Sequence, residues 1–351
     1  MKTLGGDATA IVSVPRRDAA VDRGAPRIVA LGGGTGVPVV LRGLRELMGP
    51  AASPAGDTQI TAIITTADDG GSSGRLRREN RILPPGDIRN CMVALAKDEA
   101  LLSRLFQYRF QAGHGLIGHN FGNLFLAALT HVTGDFAEAV RVSSKVLAIR
   151  GRIFPSTLSN VHLVATLVDG KRVRGETNIS RSKVPIRKIT LSPRGARPLP
   201  KAVEAIEEAD LILMGPGSLY TSVIPNLLIP EIAHALVRSR APRVYIANLM
   251  TQPGETTHYT LSQHLHAIEN HVGKRIVNCV VANRKSVSPA VARRYRAEGA
   301  EPVSIDSANV AKMKVRLLAD NLLEEHNVIR HNSPRLARLL LEKFLLSPKA
   351  R

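Results

Sequence analysis

From residue 27 onward, short apolar runs alternate with stretches whose apolar residues recur every three to four positions. Ile28-Val29-Ala30-Leu31 is unbroken and ends in glycines, so it reads as a strand buried on both faces. Val37, Val40, Leu41, Leu44 and Leu47 then share one helical face, with Pro38 in a first turn where its missing N–H costs nothing. Residues 50–56 read as a loop and 60–65 as a second buried strand. Strand, glycine loop, helix and strand make the opening of a parallel sheet.

The pattern next predicts helices over 88–112 and 123–148, the second broken near Gly134 with Asp135 as N-cap. Residues 161–167, the Asp169-Gly170 turn and the strand after it predict a β-hairpin, and 186–191 a further strand. Alternation then resumes. Helix 199–208 leads to strand 211–214, helix 229–239 to strand 244–247, helix 260–271 to strand 275–281, and helix 289–297 to strand 303–305. A last helix starts at Ser333-Pro334, with Leu336, Leu340 and Phe344 on one face. The expected fold is α/β: a Rossmann-like three-layer α/β/α arrangement with a mostly parallel sheet and a β-hairpin excursion. It comprises a mobile tail over 1–26, one domain over 27–325, and a C-terminal amphipathic helix with a basic tail over 326–351.

Composition narrows the function classes. The 351 residues are 44% hydrophobic, enough for a sizeable core, and no apolar run is long enough to cross a membrane. Cys91 and Cys279 are the two cysteines; they show neither metal-ligand nor C-x-x-C spacing, which fits a reducing cytoplasm. The net charge of +19 is spread along the chain and aromatics are 3%, so a nucleic-acid partner is not expected, although anionic small ligands suit the balance.

Candidate chemistry lies in the loops that follow the strands. Gly32-Gly33-Gly34-Thr35-Gly36 joins the first strand to a helix N-terminus, where backbone amides can cradle a phosphate. Val37 stands where a dinucleotide fingerprint needs its last glycine, and a Walker lysine is missing, so neither standard motif applies. After the second strand come Asp68 and Asp69, suited to ribose hydroxyls or a divalent cation, then Ser72, Ser73 and Arg75. Asp87 in Pro84-Pro85-Gly86-Asp87-Ile88-Arg89-Asn90 either caps a helix or joins the site, with Arg89 as a phosphate partner. His119, Asn120 and Asn123 lie in a glycine-broken loop. Gly215, Gly217 and Ser218 follow strand 211–214, and Asn248, Thr251, Gln252 and Glu255 follow strand 244–247. Each loop alone is an ordinary turn. In a parallel sheet they share one rim, and that convergence points to a ligand crevice. Neither G-x-S-x-G nor H-E-x-x-H occurs.

These segments, in this order, resemble the YvcK/CofD-like family of gluconeogenesis factors, above all in ADDGGSSGRLR and PPGDIRN between Thr66 and Asn90. GGGTG, GHNFGN, GPGSLYTS and NLMTQPGET extend the likeness over about residues 28–322. The wording is similar to the YvcK branch. That branch implies a regulatory binder of UDP-sugars such as UDP-N-acetylglucosamine, needed for growth on gluconeogenic carbon sources and for cell shape, with no settled catalytic activity. The alternative branch implies a magnesium-dependent 2-phospho-L-lactate transferase acting on a deazaflavin, with Asp68, Asp69 and Asp87 as its chemical residues. By the same resemblance Gly33 to Gly36 face the diphosphate, Asp68 and Asp69 meet ribose or metal, and Asn248 with Gly254-Glu255-Thr256 lines the nucleotide end. Tyr259 and Arg294 are expected to touch the UDP-sugar, against a plain reading as core packing and a solvated helix face. No cofactor is required beyond an optional Mg2+, and a homo-oligomer is expected.

Overall fold

The computed structural model describes residues 25–47, 59–97, 101–326 and 328–346. Most of the expected 1–26 tail, the 50–56 loop and the end of the basic C-terminus lie outside them. The strands are β1 (Arg27–Gly32), β2 (Gln59–Ile64), β3 (Arg152–Pro155), β4 (His162–Leu167), β5 (Arg172–Arg174), β6 (Ile186–Ser192), β7 (Leu211–Met214), β8 (Arg243–Ile246), β9 (Cys279–Asn283), β10 (Arg316–Asp320), β11 (Leu323–Glu325) and β12 (Ile329–His331). Seven form one sheet in the order β10-β9-β8-β7-β1-β2-β3, with every pairing parallel. The chain winds from β1 outward to β3, then returns beside β1 at β7 and winds the other way to β10. The order therefore reverses between β1 and β7, where an open α/β sheet leaves a crevice at the C-terminal strand ends.

Side-chain alternation along these strands separates two cores. Ile28, Ala30, Ala62, Leu213 and Ile246 face helices Gly36–Leu47, Gly86–Leu95 and Ser333–Leu341. Val29, Leu31, Ile63, Ile212 and Tyr245 face the other layer, built from helices Pro200–Glu207, Pro230–Arg238 and Leu261–Val272 together with β4-β5-β6. β4-β5-β6 is an antiparallel sheet of three strands rather than a lone hairpin, because β6 pairs along β4. The last helix belongs to the first layer: Ser333 Oγ donates to Val39 O at 2.5 Å, and Leu336, Ala337 and Leu340 are fully buried.

The predicted boundaries fail in identifiable places. Residues 303–305 are not a strand; Ser304 makes a single bridge to Thr260, and the outer parallel strand is β10. β10 is an edge strand with two residues exposed, the other three only half-buried and charges at both ends, so its apolar run is just Leu317 to Ala319. The helix expected over 88–112 stops at Leu95, where Ala96 turns extended, and resumes as Leu101–Gln107. Residues 108–120 are a loop closed by an Arg109–Asn120 bridge. Asp135 does cap helix Phe136–Val146, accepting from Glu138 N at 2.6 Å.

Candidate functional site at the reversal of strand order

Two loops interlock at the strand reversal. The Gly36 backbone lies so close to the loop after β7 that a Cβ there would stand 2.3 Å from Pro216 O. Only glycine permits this approach. On the far side, Gly217 N donates to Asn248 Oδ1 at 3.2 Å, which joins the loop after β8. From beneath, Asn226 Nδ2 donates to Gly32 O at 3.1 Å. Gly32, Gly33, Gly34, Thr35, Gly36, Gly215, Gly217, Ser218 and Asn248 thus share one rim.

The carboxylates take different parts. Asp87 is not the helix cap: helix Gly86–Leu95 begins after Pro85, which leaves Asp87 in the first turn. Its Oδ2 accepts from Gly34 N at 2.7 Å, a bond that spans two strand ends and fixes the glycine loop. Burial first, and then the neighbouring Asp68 charge, push Asp87 up to about 7. Burial also raises Asp68, against the amide of Gly70 at 2.8 Å. Asp69 turns away: its Oδ1 accepts from Thr177 N at 2.9 Å and Thr177 Oγ1 at 2.8 Å, tying the loop after β2 to the antiparallel insert. Glu255 is buried, which raises its pKa, and it accepts from Ser218 Oγ and from Ser180 Oγ. Glu176 is driven well above the usual range by burial and then by Asp68, Asp87 and Asp69.

Asp68 raises Asp87, and both raise Glu176, a crowding of carboxylates that a divalent cation would relieve. Magnesium commonly takes one or two carboxylates and completes its shell with substrate phosphates. Asp68 and Asp87 fit that donor set and Asp69 does not, since its oxygen is already spent. Among the described residues no group of three or more His, Cys, Asp or Glu is arranged to hold a metal ion. Any cation here would depend on the ligand's own oxygens.

The remaining predicted residues divide by location. Ser72 and Ser73 lie in the first turn of helix Gly71–Glu79, a helix the polar sequence did not announce. Ser72 Oγ meets His119 Nδ1 at 3.1 Å, and Ser73 Oγ accepts from Asn123 Nδ2 at 3.5 Å. Arg75 reaches Ile117 O at 2.7 Å. Thr251 braces its loop, exchanging bonds with Glu301 at 2.7 and 3.0 Å, and Gln252 Oε1 accepts from Asn248 Nδ2 at 3.4 Å. Tyr259 is half-buried and shares a 2.9 Å hydroxyl contact with Tyr220. Arg294 is exposed on helix Pro289–Ala297 and lies over the Tyr295 ring at 5.5 Å.

Three features have no local sequence signal. Buried Arg77 donates to Asn160 Oδ1 at 2.9 Å and to Asp68 O at 3.3 Å, holding the acidic loop from behind. Glu176 comes from the insert. A pocket of about 420 Å³ opens beside Asn248 between the ends of β8 and β9, with Asn283, Arg284 and Lys285 on one wall and Pro302, Val303 and Ile305 on another.

The family model described as 2-phospho-L-lactate transferase CofD matches residues 28–323. The chain belongs to the CofD family. Within the same comparison range, a gluconeogenesis factor of Bacillus subtilis is 45% identical over 90% of this chain and 98% of its own. One from Listeria monocytogenes is 40% identical over 90% of this chain and 95% of its own. A crystal structure of a UPF0052 family member from Bacillus halodurans superimposes with a TM-score of 0.86 at 45% identity, covering 91% of this chain and all of that one. The CofD-family fold is therefore the doubly wound sheet described above, and the interlocked glycine loops lie inside the matched segment.

Proposed function

We propose that the chain binds a nucleoside-diphosphate sugar of the UDP type as a regulatory ligand, without turnover. Growth on gluconeogenic carbon sources and cell shape are the processes it would serve, from the cytoplasm. The observation that carries the reading is the interlock of the loops after β1, β7 and β8, which brings glycine backbone and the N-terminus of helix Gly36–Leu47 to one rim. Amides at a helix N-terminus suit a diphosphate. The adjoining pocket lies within the range that holds small ligands, about 300–1,000 Å³, and offers space for a nucleoside with Arg284 and Lys285 at its wall. The relatives called gluconeogenesis factors support the gluconeogenic part alone. Calorimetric titration with UDP-N-acetylglucosamine tests it: saturable binding is expected, and neither heat nor a thermal shift at millimolar ligand removes it. Light scattering with and without the nucleotide tests the expected homo-oligomer.

Asp68 facing Asp87 favours a second reading, the magnesium-dependent transferase of phospholactate to a deazaflavin alcohol. Magnesium held there would neutralise phosphate charge. The chain's own part would be to orient that phosphate through the glycine amides and to keep Asp87 fixed on Gly34 N. Incubation with nucleotide-activated phospholactate, deazaflavin alcohol and magnesium decides it, since absence of product excludes this branch.

A further inference from the structure

The guanidinium of Arg89 is the outlying charge of the crevice. It stands in helix Gly86–Leu95, and its stem passes over the start of helix Phe121–Thr133, where a Cβ on Gly122 would lie 2.9 Å from Arg89 Cδ. Gly122 leaves that passage open. Its Nη2 donates to the side chain of the adjacent Asn90. Nε is shielded from solvent and has no hydrogen-bond partner, and no described carboxylate forms an ion pair with the group. Asp87 and Asp68 favour its charge without pairing with it, and a shielded donor left without an acceptor is costly.

Of the charges near Arg89, Asp87 and Asp68 favour it and Arg109 opposes it. Arg109 is close enough to disfavour the Arg89 charge, and its own Nη1 is committed to a carbonyl, that of Gly118, at 2.7 Å. Arg75 is held likewise by Ile117 O, so both arginines pin the 108–120 loop over the same corner. Next to Gly122, Asn123 is 3% exposed and its Oδ1 has no donor. Unused guanidinium donors and an unused amide acceptor on one wall match an oxyanion that also carries a hydroxyl, as a monoprotonated phosphate does.

We infer that Arg89, Asn123 and the 108–120 loop form a second oxyanion subsite, which takes a phosphate group other than the diphosphate assigned to the glycine amides. Asp87 adjoins both, accepting from Gly34 N and carrying a charge that acts on Arg89. A ligand could present this phosphate itself, or a second phosphorylated molecule could bring it.

Inorganic phosphate is the probe. Titrated into the full chain by calorimetry, it is expected to bind saturably in the millimolar range. R89Q should lose at least tenfold in affinity and R89K should regain part of it. Phosphate should raise the melting temperature of the parent but not of R89Q. If R89Q fails to fold, R89K carries the same comparison with a smaller loss. A UDP titration in saturating phosphate then separates the sites: an unchanged UDP affinity supports two, while competition merges them and overturns the inference. No saturable phosphate binding, or equal binding by R89Q, also overturns it. A chain that binds phosphate but not UDP leaves the subsite standing and removes only the UDP-sugar reading.

Discussion

Substituting Gly36 by alanine probes the interlock most directly. Gly36 has ordinary helical geometry, so the added methyl costs nothing in backbone strain and even favours the helix. What it meets is rigid: Pro216 O at 2.3 Å, Pro216 C at 2.6 Å and Gly217 N at 2.9 Å, all main chain. Ordinary contact needs about 3.4 Å, so the loops after β1 and β7 must part by about 1 Å. Overpacking of this kind costs about 1–3 kcal/mol, a melting shift of a few °C in a chain of this size. The larger effect falls on the ligand. Moving amides by about 1 Å stretches their bonds to phosphate beyond useful length, and losing one or two charge-assisted bonds at about 1.5–3 kcal/mol each predicts a roughly 10- to 10,000-fold weaker Kd. Urea denaturation and calorimetric titration with the UDP-sugar measure both quantities. Gly134→Ala is the comparison: that helix-end glycine has φ 70° and open space around it, so alanine should cost about 1 kcal/mol with no change in Kd. If Gly36→Ala bound as the parent does, the two loops would not form the phosphate cradle.

Other substitutions address the charges. Asp87 is raised, so its contribution to stability is complete below the ordinary carboxylate range and is lost as pH climbs through about 7. Urea midpoints at pH 5 and pH 8 should therefore fall with pH in the parent and stay flatter in Asp87→Asn; parallel slopes would refute this. Asp306 behaves oppositely. Burial alone would raise it, but Ser262 N at 2.9 Å, Ser262 Oγ, Asn309 and Thr260 hold it at about 2. Its stabilisation, present above the ordinary aspartate value, should fade as pH drops through about 2. Asp306→Ala should cost about 1–2 kcal/mol in thermal denaturation at neutral pH by uncapping helix Leu261–Val272. Tyr259→Phe removes the hydroxyl contact to Tyr220; a drop in UDP-sugar affinity larger than its roughly 1 kcal/mol stability cost would assign the hydroxyl to the ligand.

Much of the rim was legible because glycines at strand ends carry a local signature. Ile28 to Leu31 and Leu211 to Met214 are strands buried on both faces, and their loops land where a parallel sheet must put them. What escaped has no short-range signal. Asp68 and Asp69 are adjacent in sequence, yet one faces the crevice while the other serves Thr177, and that choice is made by an insert more than a hundred residues away. Arg77 reads as a surface charge until Asn160 and Val161 close around it. β10 hides because an edge strand needs only partial burial, and Ser72 and Ser73 sit in a helix whose apolar stripe is too thin to show.

The bond from Ser333 to Val39 joins positions 294 apart. The helix that opens with the glycine cradle is thus braced by the last helix of the domain, with Gly43 lying under the Ser333 backbone at a spacing only glycine tolerates. A nascent chain emerging from the ribosome cannot supply that brace until helix Ser333–Leu341 has been made. The loop after β1 therefore becomes firm only once synthesis has passed Leu341, some three hundred residues after the loop itself was made.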